Sequence, residues 1–155
     1  MEGVELRARR QAMGLGVRAI AHEIGVKPNT VSDWEANKRP IPEPVADRIK
    51  SVYDKWAQAV LDNVETALAV AEEQNSARGQ EAEAIVFYVY PSKADFENAG
   101  GRSRYGTGWA GHTALVSTVA LLVEAEGHDV SIVTFKDEPI EPTNVHENER
   151  GEQEW

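Results

Sequence analysis

Apolar positions in the first forty residues recur at helical spacing and are punctuated by glycine. The stretch "VELRARRQAM" sets apolar or small side chains three and four apart before Gly14. "VRAIAHEI" follows Gly16, with Ile20, Ala21 and Ile24 on one face, and Gly25 suits the left-handed conformation that closes a helix. Pro28 then falls in the first turn of a third helix, where its missing N–H costs nothing. The prolines of "KRPIPEP" end that helix, because the ring cannot sit in a helix interior. Three short helices are predicted.

From Glu43 to about Ala77 the pattern is one long helix with a candidate break near Lys50. Val45, Ile49, Val52, Trp56, Val60, Val64, Ala67 and Ala71 form its stripe, which is longer than a small head requires. Its far half should therefore pack on something else. "QNSARGQEAE" (74–83) reads as a linker. The texture then changes to the β-branched and aromatic "AIVFYVY" (84–90), a strand ending at Pro91. "PSKADFENAGGRSRYGTG" reads as a short helix or turn followed by a glycine-rich loop. An apolar helix over 109–127 stops at Gly127, and "DVSIVTF" (129–135) is a second strand. The expected fold is mainly α with a small α+β part. Its divisions are a head over 1–50, a connecting helix and linker over 51–81, a β-α-β unit over 82–135 and a flexible tail over 136–155.

Composition changes this picture at two points. The formal net charge is −10, yet residues 1–50 hold nine Lys/Arg against seven Asp/Glu. The head is therefore slightly basic, and the acidity lies in the remainder, above all in "KDEPIEPTNVHENERGEQEW". Phosphate contacts act locally through counterion release, so a distant acidic segment does not forbid nucleic-acid binding by the head. The absence of cysteine excludes disulfides and thiolate zinc sites. No run reaches the roughly 18 apolar residues of a membrane span, and the start lacks the apolar core of a secretion signal, so a cytoplasmic protein is expected.

The third helix carries the candidate chemistry. With Val31 and Trp34 turned toward Ile20 and Ile24, a rotation of 100° per residue points Asn29, Ser32, Asp33 and Ala36 outward. These are short side chains, mostly hydrogen-bonding, able to approach base edges; Thr30 joins them as a candidate contact. Arg18, Lys27, Lys38 and Arg39 flank them as candidate phosphate holders. The layout is that of a helix-turn-helix. In "LxxxR" at Leu6 and Arg10, "IAHEIGV" from Ile20, "TVSDWE" through Glu35 and "NKRP", the chain resembles the lambda-repressor-like family over residues 4–50. The resemblance implies an ion pair between Arg10 and Glu35. Two departures stand out: Val17 replaces a common contact glutamine, and Gly16 replaces a serine N-cap. Asp33, often basic in the family, is placed to accept from cytosine N4.

To about residue 135 the chain is also similar to the anti-CRISPR-associated regulators and related small phage and bacterial proteins. That similarity implies a homodimer joined through the C-terminal unit and an autoregulatory repressor on an inverted-repeat DNA operator, with RNA of its own transcript as a further partner in some relatives. The expected interface is Tyr88, Trp109, Val116, Val119, Leu122 and Val123, since a two-stranded sheet is marginal alone. An antitoxin whose C-terminal part wraps a toxin is the alternative of the same class. A nucleotide-binding enzyme or sensor using "GTGWAG" (106–111) is the rival of another class. That glycine pattern lacks a strand running into it and an acidic residue at the end of a following strand. His22, His112, His128 and His146 show no metal-ligand spacing, and Ser117 lacks a nucleophile-elbow context, so neither cofactor, metal nor catalysis is expected.

Overall fold

A computed structural model describes residues 1–78, 84–105 and 107–134. The elements run α1 (Gly3–Ala12), α2 (Val17–Ile24), α3 (Pro28–Glu35), α4 (Glu43–Arg78), β1 (Ile85–Val89), α5 (Lys93–Asn98), α6 (Gly101–Tyr105), α7 (Trp109–Ala125) and β2 (Val130–Thr134). Most of the described chain is helical, and the strands form one two-stranded sheet.

The head closes around Leu6, Met13, Ile20, Ala21, Ile24, Val31, Trp34, Val45 and Ile49. Its tight turn follows from Gly25, whose φ of 72° lets the Val26 N–H return to the Ala21 carbonyl at 2.9 Å. That bond stops α2 and aims the chain into Pro28 at the start of α3. At the other end of α3 Asn37 takes a left-handed φ of 54°, and the Lys38 N–H donates to the Asp33 carbonyl at 2.9 Å. The backbone thus doubles back and brings the basic pair Lys38 and Arg39 beside α3.

Helix α4 runs unbroken for 36 residues, so the break considered near Lys50 does not occur. Val45 and Ile49 anchor its start in the head core, while Val60, Val64, Ala67 and Leu68 belong to a second core. One stripe serves both, and continuous helix is the geometry that keeps it aligned. The helix therefore crosses the boundary drawn at residue 50 and extends through the first part of the expected linker; 79–83 lie outside the described residues, as does the tail.

In the second core Val60, Val119 and Val123 pack with Leu115, Ile85, Phe87 and Val130. Strands β1 and β2 pair in parallel, from Ile85 opposite Val130 to Val89 opposite Thr134, with α5 to α7 as the crossover that parallel pairing requires. Residues 101–105, expected as loop, are helical (α6). The reason is close packing on Phe96, which is 1% exposed; a Cβ at Gly101 would lie 2.5 Å from its ring. The head touches this unit directly. Gly14, at φ 64°, ends α1 so close to α7 that a Cβ there would lie 2.4 Å from the Ala110 carbonyl oxygen.

Candidate nucleic-acid interface

Helix α3 is held by one face and presents the other. Val31 and Trp34 are buried with Ile20 and Ile24, while Asn29, Ser32 and Ala36 are exposed. Thr30 and Asp33 are half-buried at the margins of that outward face. The Ser32 hydroxyl donates to the Pro28 carbonyl at 3.3 Å, a weak local bond that leaves its oxygen facing outward. The exposed strip is short and polar, which allows close approach of the helix axis to a base edge.

Glu35 fixes α3 to α1. Arg10 Nε donates to Glu35 Oε1 at 2.7 Å and Arg10 Nη2 to Oε2 at 3.1 Å, a two-pronged contact. The third Arg10 donor, Nη1, reaches the Leu15 carbonyl at 2.7 Å, so the same guanidinium also ties down the turn into α2. The Glu35 side chain is 6% exposed and that of Arg10 12%. The hydrogen bond from Arg10, working against burial, holds the Glu35 carboxyl below the usual carboxylate range. Sequence reasoning missed Arg7, which donates to Glu35 Oε2 at 3.4 Å and to the Glu35 carbonyl at 3.3 Å. Its signal was present: Arg7 precedes Arg10 by three and shares its helix face.

The flanking cations divide into two groups. Lys38 Nζ lies 3.6 Å and Arg39 Nη2 3.0 Å from the Asp33 carboxylate. In the free protein the aspartate thus partly neutralises the two residues expected on phosphate, and is itself engaged rather than open to a cytosine. Such exposed pairs are worth under about 1 kcal/mol and exchange readily for phosphate. Lys27 is exposed at the N-cap of α3. Arg18 is exposed on α2 but lines a groove toward the C-terminal unit, beside His22, Lys93, Arg102 and Trp109. Val17 does not replace the missing glutamine contact; it packs on the head core.

The residues expected at a subunit interface are not brought together on one open face. Val119 and Val123 are 2% and 0% exposed because α4 of the same chain covers them through Val60. Val116 is half-buried, and the Trp109 indole N–H donates to the Tyr90 carbonyl at 2.9 Å within the chain. Tyr88 and Leu122 stay exposed, together with Val86, Leu121 and Ile132. Periodicity could show that α7 has an apolar side but not that the far half of α4 lies against it.

The glycine pattern is entered from α6 rather than from a strand; Gly106 lies outside the described residues, and Gly108 is the N-cap of α7. His112 is buried against Tyr105, Tyr90 and Phe96, with ring centroids 4.4, 5.7 and 5.5 Å away. Burial lowers its pKa. Among the described residues no group of three or more His, Asp or Glu is placed to hold a metal, and no helix is long and apolar enough to cross a membrane.

No curated protein sequence matches the chain. Residues 6–55, which begin at the buried Leu6 of α1 and end within α4, match the family model for the helix-turn-helix, so the head of this chain is a helix-turn-helix unit of the kind that binds DNA in transcription regulators.

Proposed function

We propose that the protein is a sequence-specific transcriptional repressor that binds an inverted repeat in its own promoter as a homodimer. The observation that carries this reading is the division of α3: Val31, Trp34 and Glu35 hold it rigidly while Asn29 and Ser32 stand outward. Asn29 is suited to a bidentate contact with adenine, and Lys27, Lys38 and Arg39 surround it with phosphate partners. Dimerisation is supported by the C-terminal unit, where a sheet of two five-residue strands exposes Val86 and Tyr88 on the face turned away from Phe87, and where Ile132 of β2 and Leu121 and Leu122 of α7 are also exposed. A second copy pairing at a strand edge would enlarge a sheet that is marginal by itself and would cover part of this apolar surface. Two heads so joined would read half-sites about one helical turn apart, and a protein lying across a promoter excludes polymerase. Selection of bound duplexes from a random pool tests the reading. A palindromic consensus is expected, and enrichment of a single asymmetric site would remove the dimer model.

A further inference from the structure

The groove between α2 and the C-terminal unit is lined by no residue of α3. It is about 480 Å³ in volume, and its walls come from distant stretches: residues 14–16, 18, 19, 22 and 23 on one side, and Lys93, Arg102 and residues 107–111 on the other. Three cations from three helices converge on it, Arg18 of α2, Lys93 of α5 and Arg102 of α6. Lys93 reaches Glu97 at 3.5 Å, a long and exposed pair that a stronger anion displaces. Arg18 and Arg102 have neither an ion pair nor a side-chain hydrogen bond among the described residues. Glu23 is the carboxylate on the lining, and it too forms no ion pair among the described residues. The Arg102 guanidinium is poised over Gly108, where a Cβ would come within 3.6 Å of it.

The backbone adds to this field. Helices α2 and α7 both open into the groove, from Gly16 and Gly108, and neither N-terminus is capped by a side chain. Their first N–H groups and dipoles favour the same sign of charge as the three cations. The indole of Trp109, also on the lining, is fixed by its bond to the Tyr90 carbonyl and offers a rigid apolar wall. Like charges held together over a concave surface repel one another until an anion enters.

We propose that this groove is a phosphate-binding site, in which Arg18, Lys93 and Arg102 share one phosphate-bearing ligand between the reading head and the C-terminal unit. The phosphate has two possible sources, a free small ligand or the backbone of DNA beyond the bases that α3 reads; the second rests on the DNA-binding reading, and the first stands without it. A free ligand would brace α2 against α7 and so couple occupancy to the pose of the head. A backbone phosphate would extend the footprint of the head outward.

The test uses the full chain with sodium pyrophosphate as probe, at constant ionic strength. Calorimetric titration should show saturable binding, weakened about tenfold or more by Arg102→Gln and by Arg18→Gln, the loss of one charge-assisted hydrogen bond. Arg102→Lys should recover part of it, and Lys55→Gln, on the open side of α4, should change nothing. In parallel, the salt dependence of duplex binding is measured for the same proteins. If pyrophosphate binds as described and Arg102→Gln leaves the salt slope of duplex binding unchanged, the ligand is a free phosphate compound. If Arg102→Gln lowers the salt slope by about one, with or without pyrophosphate binding, the phosphate belongs to DNA. If neither quantity changes, the groove is not a phosphate site, whatever Asn29→Ala does to base reading. If no duplex binds at all, the DNA reading fails and the pyrophosphate titration alone decides the groove.

Discussion

Removing either partner of the Arg10–Glu35 contact should destabilise the head strongly. Arg10→Ala deletes two hydrogen bonds to Glu35, of 2.7 and 3.1 Å, and a third to the Leu15 carbonyl. It leaves a carboxylate that is 6% exposed with only the longer 3.4 Å contact from Arg7, itself half-exposed. Breaking a buried pair by truncating one partner costs about 3–5 kcal/mol, and the surviving Arg7 places Arg10→Ala near the lower end, at about 3 kcal/mol. Glu35→Ala strands two guanidiniums instead of one, with Arg10 only 12% exposed, and belongs nearer the middle of that range. Urea unfolding of the full chain, followed by tryptophan fluorescence, measures both and the double mutant. A coupling energy of about 1.5 kcal/mol or more is expected for groups that share a network. Coupling below about 0.5 kcal/mol would show that the two charges are held independently, and the proposed lock between α1 and α3 would be wrong.

Further consequences follow from particular contacts. Because the Glu35 carboxyl is held low in the folded state, its stabilisation is complete above the ordinary glutamate value near 4.3 and is lost as pH falls through the lower folded value; Glu35→Gln should flatten that acid limb of the unfolding curve. His112 is also lowered, by burial, so the unfolded chain binds its proton first: stability should be full above about 6.5 and decline below it until the folded value is reached, a slope that His112→Phe removes. Gly14→Ala forces a side chain into a left-handed turn against the Ala110 carbonyl and should lower stability by roughly 1–3 kcal/mol, seen as a lower midpoint in thermal unfolding. Asp33→Ala should release Lys38 and Arg39 and strengthen binding to random duplex, with a steeper salt dependence in a fluorescence titration.

The head was legible in the sequence because its signals are local. Gly25, Pro28 and the three-and-four spacing of Ile20, Ile24, Val31 and Trp34 each act within a turn or two, and the observed elements follow them. The C-terminal strands and α7 were legible for the same reason, to within two residues at their ends. The partners across space were not. That Val119 and Val123 lie under Val60 depends on where a 36-residue helix comes to rest, which no periodicity encodes. Helix α6 was hidden because glycine is a poor helix former, and only the nearby Phe96 ring explains its place. The position of Lys38 and Arg39 over Asp33 depends on the left-handed Asn37, a residue that signals a turn but not its target.

The outward face of α3 is the surface proposed to meet the bases. The most direct test compares the full chain with Asn29→Ala, Lys38→Ala and Arg39→Ala on the selected operator and on a scrambled duplex, at two salt concentrations. Asn29→Ala should lose about 1–3 kcal/mol on the operator and little on the scrambled duplex. Lys38→Ala and Arg39→Ala should weaken both duplexes and lower the salt slope by about one for each lost phosphate contact. Equal loss from Asn29→Ala on the two duplexes would mean that another face of the helix meets the bases, and no loss from any of the three would mean that α3 does not read DNA.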